Sequence, residues 1–282
     1  MIISPLKWNG SKAKLIEAIL EIVPQHYNRY FEPFMGSGSV MLNINPQKAY
    51  CSDIIEEPIN TMQVIKDKPG ELINEFVKYA SILWEDSGQF YYEARNEYNR
   101  DKYSMPAIDK AAAIMFLLRS GFNGLVRFNK DGCWDVPWGK RGTKDTGNPI
   151  FNSDYEKLIL ETSNILNQGD KQFVVCSFEQ SIAQAQEGDL VYANPHLNTD
   201  YNSYSGYDWT KEQEKLLYDE LLKASDRGAK FILSNVYIYK GKKNKKLLKI
   251  FGNFHHTIIN HQYIMGPMGH KRPLVSEILI YN

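Results

Sequence analysis

Along Lys12–Val23 (KAKLIEAILEIV), apolar residues recur at three- and four-residue spacings. That rhythm predicts an amphipathic helix, and Pro24 stops it. The aromatic run Arg29–Phe34 (RYFEPF) predicts a strand running into MGSGSV, after which MLNI begins another element. Ala49–Ser52 predicts a second strand, closed by Asp53. Helical spacing returns over Glu57–Lys66, Gly70–Trp84, Tyr91–Tyr98 and Ala107–Arg119. The next stretch, SGFNGLVRFNKDGCWDVPWGKRG, loses that period. Its NKDG between LVRF and CWDV predicts a β-hairpin. A helix follows at Asp154–Leu166, then a strand at Phe173–Cys176, a short helix at Ser181–Ala185 and a strand at Leu190–Ala193. Lys211–Ala224 predicts a helix, Lys230–Ser234 a strand, Lys245–Phe251 a helix and Glu277–Tyr281 a strand.

Strands alternating with helices imply an α/β fold: a mostly parallel sheet covered on both faces. The block from about Pro58 to Asn164 interrupts the alternation. The expected organisation is one domain from residues 1–57 and 165–282, with 58–164 inserted. No internal repeat is visible.

The chain has 282 residues, enough for one core domain plus such an insertion. With 43% hydrophobic and 23% charged residues, it has the composition of a soluble globular protein. The formal net charge is zero, so a nucleic-acid partner would have to meet a local basic patch. Cys51, Cys133 and Cys176 are far apart and lack metal-ligand spacing; reduced thiols and no metal are expected. No run approaches the ~20 apolar residues of a membrane span. Met1–Lys12 lacks a signal-peptide layout, and the expected location is cytoplasmic.

Several short stretches carry candidate chemistry. Gly36 and Gly38 follow a strand and let the backbone approach a ligand, although a ligand-free strand-to-helix turn has the same pattern. Asp53 ends the next strand, where an acid accepts hydrogen bonds from ribose hydroxyls or merely caps a helix. Trp8 is either a packed aromatic or a π face over a cation; Lys12 suits a carboxylate. The hairpin region carries Arg119, Asn123, Arg127, Asn129 and Lys140 among aromatics, a mixture that suits nucleic acid and equally a solvated surface. The lysines of 240–249 read as a solvated helix face or a phosphate-contacting edge. Loop Met265–Pro273 has glycines and a basic end.

Taken together, these motifs resemble the Dam-type (D12 class) DNA adenine-N6 methyltransferases, the phage-encoded members above all. KWNGSK (Lys7–Lys12) resembles the family's K-W-x-G-x-K, and FEPFMGSGSV its cofactor glycine motif. SDI (Ser52–Ile54) is similar to its ribose-binding acid, and CSFEQSI (Cys176–Ile182) to its pre-catalytic strand. FNGLVRFN with DVPWGK resembles its hairpin. The resemblance implies a Rossmann-like S-adenosylmethionine-dependent methyltransferase sheet. It also implies a helical DNA-recognition subdomain, carrying the β-hairpin, at 58–164. The implied methyl donor is S-adenosylmethionine, and the implied partner is double-stranded DNA at GATC-like sites. Trp8, Lys12, Phe34, Gly36, Gly38, Asp53 and Phe178 are then expected at the donor, and Lys7, Asn123, Arg127 and Asn129 on DNA, with Arg119 and Lys140 beside them.

The catalytic strand departs from the pattern. The family reads V-Y-x-D-P-P-Y-L; this chain reads Val191-Tyr192-Ala193-Asn194-Pro195-His196-Leu197. Asn194 replaces the acid, His196 replaces the tyrosine, and one proline is missing, which shortens the reach by about 3.3–3.6 Å. Related amino-methyltransferases use N-P-P-Y. Two functions therefore stand side by side. One is methyl transfer, with Asn194 and Pro195 accepting the amine's hydrogens and His196 stacking on a flipped adenine. The other is a catalytically silent relative that binds DNA, competes for it or regulates through a protein partner. A monomer or weak dimer, without membrane contact, is expected in either case.

Overall fold

A computed structural model describes residues 1–86, 88–139, 150–195, 209–239, 241–262 and 274–282. A 3-10 turn at Ala13–Leu15 leads into helix α1 (Ile16–Ile22), followed by β1 (Tyr30–Glu32), α2 (Ser39–Ile44) and β2 (Lys48–Asp53). Four helices come next: α3 (Glu56–Asp67), α4 (Pro69–Asp86), α5 (Gln89–Asp101) and α6 (Ala107–Ser120). After the hairpin region come α7 (Ser153–Leu166), β3 (Asp170–Val175), α8 (Phe178–Ile182) and β4 (Leu190–Ala193). The chain ends with α9 (Lys211–Asp226), β5 (Lys230–Tyr239), the two-residue β6 (Lys242–Lys243), α10 (Lys245–Phe251), β7 (His255–Gln262) and β8 (Leu274–Tyr281).

The strands form one sheet in the order β3-β2-β1-β4-β5-β8-β7, with β6 on β5. The pairs from β3 to β5 are parallel; β8 runs antiparallel to both β5 and β7. Both faces are covered, and alternate residues divide between them. Tyr30, Leu190 and Tyr192 join the core on one face; Phe31, Val191 and Ala193 join the core on the other. This explains why β4 reads as an unbroken apolar run rather than an alternating one. Strand order reverses between β1 and β4, which opens a crevice beyond their carboxyl ends.

The first core continues from the sheet into helices α3 to α7. α6 is buried along Ala111–Leu118. The following segment hangs on α5: Tyr91 Oη donates to the Val136 carbonyl at 2.8 Å, and the Asn99 amide donates to the Trp134 carbonyl at 2.9 Å. Trp134 Nε1 donates back to Tyr91 Oη at 3.0 Å. The hairpin is looser than its sequence predicts. Among the described residues it consists of isolated antiparallel bridges, Phe128↔Trp134 and Gly121↔Trp138, rather than two strands. Part of the hydrogen bonding a ladder would use goes to α5 instead.

Other differences are local. The short helix sits at Phe178–Ile182, ahead of the expected Ser181–Ala185, because Ser177 and Gln180 form a capping box there. β5 continues to Tyr239, and β7 was not foreseen at all. In α10, Leu247 and Phe251 are buried while Lys245, Lys246 and Lys249 are exposed, the solvated-face reading of that run. No helix among the described residues is long and apolar enough to cross a membrane.

The amino-terminal segment is pinned to β8, the neighbour of the edge strand β7. Lys12 Nζ and Glu277 Oε2, on β8, lie 2.5 Å apart, and both side chains are buried. Removing Lys12 takes away the buried ammonium that the Glu277 carboxylate faces. Lys12→Ala is therefore expected to lose ~3–5 kcal/mol in urea unfolding, whereas Lys12→Met with Glu277→Leu recovers most of it. Equal loss in the single and double variants would show that the pair does not anchor the segment.

Candidate active site

β1 ends at Glu32, and the chain turns through Gly36 (φ 48°) and Gly38 (φ 64°) into α2. Left-handed angles like these favour glycine. Asp53, at the end of β2, holds the turn: its Oδ2 accepts from Gly36 N at 2.9 Å and its Oδ1 from Ile55 N at 3.0 Å. Burial pushes the Asp53 carboxyl up to about 6, while the amides of Ile55, Gly36 and Ile54 pull it down and Glu57 adds to the rise. A carboxylate offers about four lone-pair sites, more than these amides use.

Glu32, absent from the sequence reading, lies behind the turn. Its Oε2 accepts from Tyr30 Oη at 2.7 Å and from Met41 N, in the first turn of α2, at 3.1 Å. Burial pushes it up to about 8, opposed by those two hydrogen bonds. An acid inside the FEPF motif was the available signal. Aromatic rings stand on the other side. Phe34 stacks on Phe178 with centroids 5.4 Å apart, and Trp209 meets them at 5.7 Å and 5.6 Å. Trp209 lies 31 positions beyond Phe178, and nothing local to it signals the contact.

Lys7–Lys12 crosses these elements like a strap. Trp8 is buried against the glycine turn; a Cβ on Gly36 would stand 2.9 Å from its Cδ1. Ser11 Oγ lies 3.0 Å from Ser39 Oγ in α2. Lys7 passes over Gly124, where a Cβ would overlap its ammonium. Asn194 follows β4 directly, and its Nδ2 donates to the Gly10 carbonyl at 3.2 Å. A carbonyl accepts and cannot donate, so this contact assigns Nδ2 to Gly10 and makes Oδ1 the acceptor end of the amide.

The structure thus gathers Trp8, Phe34, Gly36, Gly38, Asp53, Phe178 and Asn194 at the carboxyl ends of β1, β2 and β4, with Pro195 next in the chain. Lys12 belongs to the same strap, but its ammonium is on Glu277. At the hairpin, Asn123 adopts φ 52° beside the exposed Phe122. Arg127 pairs with Asp135 at 2.6 Å. Asn129 Oδ1 closes its turn, accepting from Asp131 N at 3.0 Å and Cys133 N at 2.9 Å. Arg119 is turned into the fold: its Nε donates to the Ile150 carbonyl at 2.6 Å, and its guanidinium lies 3.8 Å from the Tyr155 ring centroid. Lys140, His196 and the loop Met265–Pro273 lie outside the described residues.

These residues fit S-adenosylmethionine chemically. A buried acid with spare acceptor capacity ends β2, a turn with no room for a Cβ follows β1, and flat aromatic surface lies alongside.

Comparison with known proteins points the same way. It is 29% identical over 283 residues to the type II methyltransferase M1.LlaDCHI of Lactococcus lactis subsp. cremoris, covering 98% of this chain and 94% of that one. It is 31% identical over 237 residues to the DNA N-6-adenine-methyltransferase of Escherichia phage P1, covering 82% of this chain and 29% of that longer protein. The DNA adenine methylase of Vibrio cholerae is 28% identical over 236 residues, covering 82% of this chain and 80% of that protein. The family model described as D12 class N6 adenine-specific DNA methyltransferase matches residues 8–265. S-adenosylmethionine is the methyl donor of that class. With the glycine turn, the acid of β2 and the end of β4 gathered in one crevice, this chain belongs to the D12 class of N6 adenine-specific DNA methyltransferases.

Proposed function

We propose that the chain transfers a methyl group from S-adenosylmethionine to N6 of a flipped adenine in duplex DNA, at a GATC-like site. The observation that carries this reading is the orientation of Asn194. Its Nδ2 is taken up by Gly10, which leaves the amide oxygen as an acceptor beside the donor crevice. Adenine N6 attacks through a lone pair that is free only when both amino hydrogens are held aside. Asn194 Oδ1 and the Pro195 carbonyl accept them, and His196 stacks on the base. Asp53 takes the ribose hydroxyls of the donor, and the turn at Gly36 and Gly38 admits its backbone-facing edge. Trp8, Phe34 and Phe178 supply apolar surface. When bound, S-adenosylmethionine would supply an electrophilic methyl on its sulfonium; as the N6–C bond forms the S–C bond would break, S-adenosylhomocysteine would leave, and the surplus N6 proton would pass to water. Lys12 supports the strap from below.

Residues 58–164 form the DNA-recognition part in this reading. Lys7, Asn123, Arg127, Asn129 and Lys140 meet the duplex there, and the exposed Phe122 stacks on bases. Arg119 braces α6 on α7. One observation favours a second reading: the missing proline of the tetrad. Misplacement of ~1 Å costs about 100-fold in rate. A chain with that loss binds donor and DNA without transfer and acts by competition or through a protein partner.

Tritium transfer from labelled S-adenosylmethionine to unmethylated duplex separates the two. Label in adenine is the expected result; donor binding without label leaves the second reading. Asn194→Ala is expected to abolish transfer with DNA affinity nearly unchanged, and undiminished turnover would sink the role given to Asn194. Asn194→Asp puts a carboxylate against the Gly10 carbonyl. At ~1–3 kcal/mol for an unmade hydrogen bond, transfer is expected to fall roughly 5- to 150-fold, although the change restores the acid of the family pattern.

Donor binding should also titrate. Ionised Asp53 accepts ribose hydroxyls, and its carboxyl lies near pH 6. Affinity is therefore expected to be level above about pH 7 and to fall toward tenfold per unit below 6. Calorimetry from pH 5 to 8 measures this, and Asp53→Asn should bind more weakly with a flat profile. A wild-type profile as flat as that of the variant would exclude Asp53 as the ribose acceptor.

A further inference from the structure

Asn9 is the variable position of the K-W-x-G-x-K pattern, so the family resemblance gives it no role. In this structure it stands between two working parts. Its Nδ2 donates to the Val126 carbonyl of the hairpin region at 3.1 Å. One residue on, the Gly10 carbonyl receives Asn194 Nδ2 at 3.2 Å. One residue back, Trp8 lies on the glycine turn. A single short stretch therefore touches the hairpin, the donor turn and the catalytic asparagine.

The geometry around Gly10 shows how little slack this stretch has. Gly10 has φ 78°, and a Cβ there would meet nothing within 4 Å. Glycine is required by the backbone angle, not by space, and the turn it makes aims the carbonyl at Asn194. On either side the strap is fixed by buried Trp8 and by the Lys12–Glu277 pair. A shift of Val126 is thus carried to Gly10 through Asn9 rather than absorbed. Packed elements with few alternative arrangements transmit displacement in this way.

We propose that Asn9 is a positioning residue that couples the hairpin to the donor turn and to Asn194, so that duplex DNA and the methyl donor tighten each other's binding. The proposal rests on the reading above that the hairpin meets DNA and the glycine turn holds the donor. The coupling is reciprocal by thermodynamic necessity. It needs a side chain at position 9 that donates to a carbonyl: alanine has no donor, an ionised aspartate cannot donate, and glutamine can.

The test is calorimetric titration of S-adenosylhomocysteine, which has no methyl group to transfer, into the full chain with and without saturating unmethylated duplex. Wild type is compared with Asn9→Ala, Asn9→Asp and Asn9→Gln, and thermal melts confirm that each is folded. Duplex is expected to tighten wild-type binding about 5- to 150-fold, and Asn9→Ala and Asn9→Asp by less than about twofold. Binding without DNA should stay within about twofold of wild type in all variants, with Asn9→Gln recovering part of the coupling. Undiminished tightening in Asn9→Ala overturns the proposal. So does an equal loss of affinity with and without DNA, which marks a merely structural contact, and so does a wild type that binds both ligands without coupling. A wild type that fails to bind either ligand removes the underlying reading and this proposal with it.

Discussion

An ammonium and a carboxylate, both shut away from water, hold the amino-terminal segment to β8, the last strand in the chain. Lys12 reaches Glu277 at 2.5 Å, and from that anchor residues 7–11 run back over the crevice. Coulomb attraction in a buried setting is strong, but so is the cost of desolvating two charges, and the pair is a poor way to gain stability. Its effect is to fix a register. With Lys12 on β8, Trp8 falls on the glycine turn, Gly10 under Asn194 and Asn9 on the hairpin. A strap held at one end only would leave each of those contacts to chance.

The second constraint is electrostatic and lies at the carboxyl ends of β1 and β2. Two buried acids, Glu32 and Asp53, brace the same turn from opposite sides. Burial raises both, to about 8 and about 6; the Asp53 charge adds to the rise of Glu32, and the Glu57 charge to that of Asp53. What keeps Asp53 the more acidic is the main-chain amides that point at it, including that of Gly36. The turn and the acid therefore define each other. The glycine angles present an amide to Asp53, and Asp53 holds the turn in the form that leaves no room for a Cβ.

Much of this was legible in the chain because it depends on short-range pattern. β4 was read residue for residue, since an apolar run bounded by Gly188-Asp189 and Asn194-Pro195 has few other solutions. The helices were found by their period. β7 gives no strand signal because HHTIINHQ is an edge strand whose two isoleucines are adjacent, with no alternation of polar and apolar positions. The strands expected of the hairpin proved to be bridges, because Asn99 and Tyr91 of α5 satisfy main-chain groups that a ladder would have paired. At the site, the glycines, Asp53 and Phe178 belong to compact motifs. Glu32 and Trp209 act through contacts that only the folded chain creates. Arg119 was grouped with the hairpin by nearness in sequence, but its partners, Ile150 and Tyr155, lie on the far side of that region.

At position 194 an amide stands where the family pattern has an acid. Replacing an acid by an amide removes a charge but keeps an acceptor oxygen, provided something fixes the orientation of the amide. A carboxylate needs no such guide, because both its ends accept. An asparagine needs a dedicated partner for its NH₂, and Gly10 supplies one. That partner is available because Gly10 takes a left-handed turn within an anchored strap. The asparagine at position 194 and the rigid segment at 7–12 are therefore one arrangement. An amide in this place makes physical sense only where the backbone opposite it is already held.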